Sequence, residues 1–240
     1  MSRKAVGVMS GGPDSVGYAA IWKRKGYDVY PISFFYGQKG RKEVKVMRSL
    51  SKELGFMEPV LVDISSLAAV WRGTQLTDAK VRVQEKYSTD VVVPLRNGVF
   101  LMVASAYADT VGAEGVIYGA HTSDAAPRPG AREPMYPDCT PEFADSLEAA
   151  VNRGRLGGKE LWISSPAKEG WSKAELIRRS YSVMGDSLCK TWSCYISGRY
   201  HCGECESCNN RRKAFEAAGV KDETRYAAGP SRGRPPSASP

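Results

Sequence analysis

The sequence predicts an α/β fold, a parallel sheet with helices on both faces, followed by a cysteine-rich helical region near the C-terminus. Three observations predict it. Short apolar runs alternate with segments of helical period along most of the chain. A Ser-Gly-Gly-Pro-Asp-Ser turn joins the first run to the first helical segment. Four of the six cysteines fall close together late in the chain.

The elements follow in order. Residues 4–9 form a short, partly β-branched run and read as a buried strand. Residues 13–25 read as a helix, with Pro13 where a first-turn proline is tolerated. Strands at 28–35 and 59–63 flank a helix at 41–54. A helix over 97–111 spaces Leu101, Ala104, Ala108 and Val111 by threes and fours. Strands follow at 115–119 and 160–164. Between them Thr140-Pro141 opens a helix with a cap residue and a first-position proline. A last helix over 172–181 begins with Ser172 and Glu175 at capping-box spacing. Residues 125–137 hold four prolines and a glycine and read as a functional loop over the sheet's edge. The predicted organisation is one domain over 1–228, with the cysteine region at about 189–215, and a disordered Gly/Pro/Ser/Arg-rich tail over 229–240.

Bulk properties narrow the function. With 240 residues, 42% apolar, the chain can bury one sizeable core. A formal charge of +8 favours anionic partners such as nucleotides. Lys and Arg are spread out, with no block of like charges, so nucleic acid is not expected as an obligatory ligand. No apolar stretch approaches the ~18 residues of a membrane span. Met1-Ser2-Arg3-Lys4 leads straight into a strand without a signal peptide. The expected location is the cytoplasm, where thiols stay reduced and clustered cysteines point to metal rather than disulfides.

The turn Ser10-Gly11-Gly12-Pro13-Asp14-Ser15 lies between a strand and a helix. Two glycines let the backbone turn its N–H groups inward, and the helix N-terminus adds partial positive charge. Ser10 and Ser15 offer hydroxyl donors to phosphate, and Asp14 either holds magnesium or caps the helix. Neither G-x-x-x-x-G-K-[ST] nor G-x-G-x-x-G is present. The string resembles the PP-loop signature S-G-G-x-D-S, of the adenine nucleotide alpha hydrolase-like fold, which implies cleavage of ATP between its α and β phosphates.

Cys194, Cys202, Cys205 and Cys208 form C-x7-C-x2-C-x2-C. Four thiolates at ~2.3 Å suit a closed, structural zinc site. An iron–sulfur cluster is the competing reading, and a thioredoxin-like pair is weaker because Cys205 belongs to both C-x-x-C elements. Spacing alone also allows Cys189 in place of Cys194. Arg211, Arg212 and Lys213 follow, either facing substrate phosphates or, the preferred reading, forming a solvated helix face.

Further strings narrow the resemblance. Phe35-Tyr36-Gly37-Gln38 precedes Arg41 and Glu43, and Pro94-Leu95-Arg96-Asn97 precedes the long helix. Tyr136-Pro137-Asp138-Cys139-Thr140-Pro141-Glu142-Phe143 is dense and unusual, and Thr191-Trp192-Ser193-Cys194-Tyr195 leads into Cys202-Gly203-Glu204-Cys205. Together, over residues 4–215, these resemble the 7-cyano-7-deazaguanine synthase family of queuosine and archaeosine biosynthesis. The resemblance implies conversion of 7-carboxy-7-deazaguanine to the nitrile with ammonia and Mg-ATP, through an adenylated carboxylate and an amide, in a zinc-holding homodimer. It implies that Ser10, Gly11, Gly12, Asp14 and Ser15 bind phosphates, beside Tyr36, Gly37 and Gln38 at a strand's C-terminal end. Arg96 and Asn97 are expected to contact nucleotide or acid. Asp124 or Asp138 would hold the exocyclic amine of a guanine-like ring, each with a loop cap as its plain alternative. Asp14 would position magnesium, and Lys173 would neutralise developing phosphate charge unless it is simply solvated.

The segment 125–135 is longer than the family pattern, which puts the acid's site in question rather than the fold. One rival is therefore a related ligase that joins the activated acid to another amine, such as a protein terminus. A tRNA-modifying PP-loop enzyme and a non-catalytic zinc module are the others. The basic pI favours the first, but the sequence shows no appended RNA-binding domain, and the intact phosphate loop speaks against the second.

Overall fold

A computed structural model describes residues 2–40, 42–78, 80–127, 130–156, 158–196 and 198–227. The expected helix start at Arg41 and the tail over 229–240 lie outside the described residues. Five strands form one parallel sheet in the order β3-β2-β1-β4-β5. They are β1 (Arg3–Val8), β2 (Tyr27–Phe35), β3 (Val60–Asp63), β4 (Gly115–Ile117) and β5 (Trp162–Ser164). The helices are α1 (Pro13–Arg24), α2 (Lys42–Glu53), α3 (Arg96–Val111), α4 (Thr122–Ala125), α5 (Pro141–Gly154), α6 (Lys173–Met184) and α7 (Glu206–Ala218).

Side chains alternate across the pleat and so feed two cores. Val6, Ile32, Phe34, Val116 and Ile163 face α3 and α5. Val29 and Ile117 point the other way, against α1, α2, α6 and α7. The covering helices bring apolar stripes, such as Leu101, Ala104 and Ala108 on α3, and Met47 and Leu50 on α2. Both faces are covered, as the alternating pattern predicts.

The caps follow local sequence with one correction. Thr140 Oγ1 accepts the Phe143 N–H at 3.2 Å, and Ser172 Oγ accepts the Glu175 N–H at 3.2 Å. The expected box at α6 is only half formed, because Glu175 turns to Arg178 and Arg179 instead. The full box forms at α4, where His121 Nδ1 accepts the Asp124 N–H and Asp124 accepts the His121 N–H.

Two other expectations change. One segment, Thr89–Val111, is long and apolar enough to cross a membrane, against the reading that none approaches that length. It is a short turn followed by α3, whose Phe100, Leu101 and Ala104 are buried against the sheet. The Pro-rich loop does not follow an edge strand: it comes after β4, an interior strand, and α4, and folds back through a Pro127–Pro134 bridge and a 2.7 Å bond from Met135 N–H to the Ala126 carbonyl. Arg128 and Pro129 of that loop lie outside the described residues.

Close packing fixes where α1 begins. A Cβ on Gly119 would stand 2.7 Å from Ser15 N and 2.9 Å from Asp14 C, both backbone atoms that cannot yield. Glycine thus lets the end of β4 touch the start of α1. Gly119→Ala should destabilise the protein by about 1–3 kcal/mol, the usual cost of overpacking. Gly154→Ala, with open space around it, should be neutral or slightly stabilising. Urea unfolding of both variants checks the contrast; equal stabilities would contradict it.

Candidate active site

The sheet changes winding direction between β1 and β4, and ligands of open α/β sheets bind in the crevice beyond the strand ends at such a point. There the structure has a cavity of ≈ 630 Å³. That is within the range of small-molecule sites, which run about 300–1,000 Å³.

The loop 10–15 forms its floor. Ser15 Oγ accepts the Ser10 N–H at 3.2 Å and lies 3.3 Å from Ser10 Oγ, which itself accepts the Gly12 N–H at 3.3 Å. Gly11 has φ +95°, a left-handed conformation that favours glycine. A Cβ there would also stand 2.5 Å from the Glu43 carbonyl oxygen. The Gly11 carbonyl accepts the Trp192 N–H at 2.9 Å. The first N–H groups of α1 have no helical acceptor and offer an anion site at this floor.

Asp14 does not cap α1; its Oδ2 meets Lys173 Nζ at 2.9 Å. Burial would raise the Asp14 pKa, but Lys173 foremost, together with His121 and Arg211, outweighs it and holds the carboxyl below its ordinary range. Burial likewise opposes the Lys173 charge, and Asp14 restores it and lifts its pKa. Asp14 Oδ1 is buried without a hydrogen-bond partner among the described residues. Such an oxygen suits magnesium or a ligand donor. His121 Nε2 stands 4.0 Å from it. Sequence reasoning missed His121, because histidine is not among the usual cap residues and no motif marks it.

Tyr36 and Gln38 line the cavity; Gly37 and Gly11 shape turns beneath it. Gln38 spends its amide on the turn, accepting the Tyr36 N–H at 2.8 Å and donating to the Phe34 carbonyl at 3.1 Å. The Tyr36 hydroxyl accepts from Arg96 at 3.1 Å. Arg96 enters the cavity wall behind Leu95, whose φ of 53° makes it the one left-handed non-glycine among the described residues. Asp138 caps α3 from a distance, accepting the Asn97 N–H at 2.9 Å and its side-chain amide at 3.2 Å. Asp124 is held in the α4 box, and burial raises its pKa. Both aspartates therefore act as caps while lining the cavity.

The sulfurs of Cys194, Cys202, Cys205 and Cys208 lie within 4.8 Å of one another. Metal–sulfur bonds of ~2.3 Å in a tetrahedron give sulfur–sulfur edges of about 3.8 Å. Cys202 and Cys208 already stand 3.8 Å apart. Backbone N–H groups of Ile196 and Cys202 reach Cys194 Sγ at 3.4 Å. Hydrogen bonds from the Cys205 and Cys208 thiols hold Cys194 well below the usual thiol range. The cluster fits a zinc ion. Cys189 is elsewhere, 3.7 Å from the Lys221 carbonyl, which removes it as the fourth ligand. His201 is not a ligand either, since its Nε2 accepts the Ser193 N–H at 3.0 Å.

The reading of Arg211 to Lys213 as a solvated face needs correction. Arg211 is 1% exposed and reaches Thr191 Oγ1 at 2.9 Å, Ser193 Oγ at 3.1 Å and Asp222 at 3.4 Å. Arg212 turns to Asn209 at 2.9 Å, and Lys213 is exposed beside the cavity mouth.

This fold, with its Ser-Gly-Gly-Pro-Asp-Ser floor, cavity and cysteine cluster, defines an enzyme of the ATP-dependent PP-loop class. Residues 4–219 match the family described as queuosine biosynthesis protein QueC. The chain belongs to that family. A 7-cyano-7-deazaguanine synthase from Campylobacter curvus is 35% identical over 94% of this chain and 98% of its own. Relatives with the same name from Caldicellulosiruptor bescii and Cellvibrio japonicus are each 37% identical, over 93% and 95% of this chain and 97% and 100% of theirs.

Metal analysis of the purified protein should find one zinc per chain. Cys194→Ser should lose it together with solubility, because the ion's binding energy contributes directly to folding. Cys139→Ser and Cys189→Ser should retain it. Retention by Cys194→Ser, or an iron–sulfur absorption band, would refute the assignment.

Proposed function

We propose that this chain converts 7-carboxy-7-deazaguanine, ATP and ammonia to 7-cyano-7-deazaguanine. The observation that carries the proposal is the single cavity shared by the phosphate loop, the Asp14–Lys173 pair and the Arg96–Asn97–Asp138 wall. Near-full-length similarity to synthases of that name supports the substrate.

A carboxylate is a poor electrophile. With the ATP phosphates on Ser10, Gly12, Ser15 and the start of α1, the acid's oxygen attacks the α-phosphorus and pyrophosphate leaves. Lys173 stabilises the charge that develops. Asp14 Oδ1, buried and without a donor, would hold the magnesium that accompanies ATP, and that ion would supply further charge neutralisation. Ammonia then displaces AMP to give an amide. A second ATP activates the amide oxygen, which departs with AMP as the nitrile forms. Tyr36 and Arg96 line the nucleotide and acid end of the cavity. Asp124 and Asp138, fixed by their caps, present acceptors for a ring amine. Burial of the reactants excludes water, which would hydrolyse the adenylate.

The extended loop favours a second reading. Its Met135, bonded through the backbone N–H to the Ala126 carbonyl, lines the cavity and would help select the acceptor amine. A ligase that delivers the activated acid to another amine would use the same floor.

Mass spectrometry after incubation with the acid, ATP, magnesium and ammonium should find the amide first and then the nitrile. Activation of the acid without nitrile would move the chain to the ligase reading. Nucleotide chromatography should find AMP and pyrophosphate; ADP and orthophosphate as primary products would sink the PP-loop chemistry.

Asp14→Ala and Lys173→Met should each slow turnover by about 100-fold or more, on the scale of a lost electrostatic contact. Steady-state rates of folded variants test this, and near-normal turnover in either would remove that residue from the chemistry.

A further inference from the structure

Five carboxylates among the described residues line the cavity, those of Asp14, Glu43, Asp124, Asp138 and Glu206. Four are engaged. Asp14 holds Lys173 at 2.9 Å, and Asp124 accepts the His121 N–H at 3.4 Å. Asp138 accepts the Asn97 N–H at 2.9 Å, and Glu206 accepts the Tyr195 hydroxyl at 2.8 Å. Among the described residues no donor hydrogen-bonds to the Glu43 carboxylate. Its main chain is nonetheless firmly placed, because the Glu43 carbonyl oxygen abuts Gly11 of the phosphate loop. A rigidly mounted acid without a partner, at the edge of the floor where the adenylate forms, is available to a ligand.

The proposed reaction needs such a group. Ammonia at neutral pH is mostly ammonium, which has no lone pair and cannot attack an acyl carbon. We infer that Glu43 is the base that binds ammonium in the cavity and takes its proton. The inference rests on the reading given under the proposed function. The Glu43 carboxylate accepts one proton from NH4⁺ and releases NH3. The nitrogen lone pair forms the C–N bond, and the bond from the acyl carbon to the AMP oxygen breaks, its electron pair leaving with AMP. The surplus proton on nitrogen passes to solvent, giving the amide. Glu43 returns its own proton to solvent before the next turnover.

The surroundings suit the task. Burial lifts Glu43 to about 8, against the pull of Arg96 from α3 and with a further push from Cys194 in the cysteine loop. Tyr36, beyond the end of β2, also faces it, and burial raises that phenol and keeps it neutral. An ordinary carboxylate is a far weaker acceptor for an ammonium proton. An ammonium cation arriving beside Glu43 favours its ionised form, so ammonium binds with the carboxylate in the form that can accept a proton.

The test compares two nucleophiles at one neutral pH. Hydroxylamine is already unprotonated there and needs no base. Glu43→Gln keeps the side chain's size. Its rate of amide formation from ammonium should fall about 100-fold or more, the usual worth of a general base. Hydroxamate formation from hydroxylamine should stay within about threefold of the unmodified protein. Acid-dependent exchange of pyrophosphate into ATP should persist, which also demonstrates a folded site. Glu43→Asp, which retains a carboxylate, should recover part of the ammonium rate. Equal losses with both nucleophiles, or an unchanged ammonium rate, would overturn the assignment. If the unmodified protein makes neither amide nor nitrile from ammonium, the proposed function fails first and takes this inference with it.

Discussion

Gly11 is gripped from two sides, and the geometry of the cavity follows from that grip. Its carbonyl takes the Trp192 N–H, and its Cα rests against the Glu43 carbonyl. No side chain fits between, and the positive φ would strain any residue that had one. The phosphate loop, the first turn of α2 and the segment before Cys194 are therefore keyed to one another. Trp192 is itself well fixed. Its indole N–H reaches the Cys194 carbonyl at 2.9 Å, Lys42 lies 3.8 Å above its ring, and His201 packs at 4.1 Å.

Arg211 carries the same constraint one step further. A buried guanidinium is costly unless its donors are used. Here they go to Thr191 and Ser193, the residues on either side of Trp192, and to Asp222. The cysteine cluster anchors Cys194 beyond them. A site at one end of α7 thus sets the position of a peptide in the floor of the cavity.

How much of this the sequence shows depends on the range of the interaction. Strands such as 28–35 and helices such as 97–111 are legible because their side chains alternate between two cores or follow one stripe. The phosphate loop and the cysteines are legible because short spacing carries the chemistry. Arg211 is not, since an Arg-Arg-Lys run does not say which member turns inward. The Asp138–Asn97 cap joins residues far apart in the chain, and no local pattern couples them. Residues 64–95 have no periodicity to read. Their turns are held by contacts such as Gln75 Nε2 with Asp90 at 2.7 Å, which only the folded chain brings together.

The Trp192–Gly11 bond also has a consequence for biosynthesis. Domains emerge from the ribosome N-terminus first. Met9 to Ser15 leaves early, yet the residues that clamp it, Trp192 and the Arg211 side chain behind it, are translated only after all five strands. A nascent or truncated chain that ends before α7 contains the full Ser-Gly-Gly-Pro-Asp-Ser string but lacks Arg211, which braces the clamp that shapes it. The clamped shape of the loop is thereby deferred until α7 has been translated.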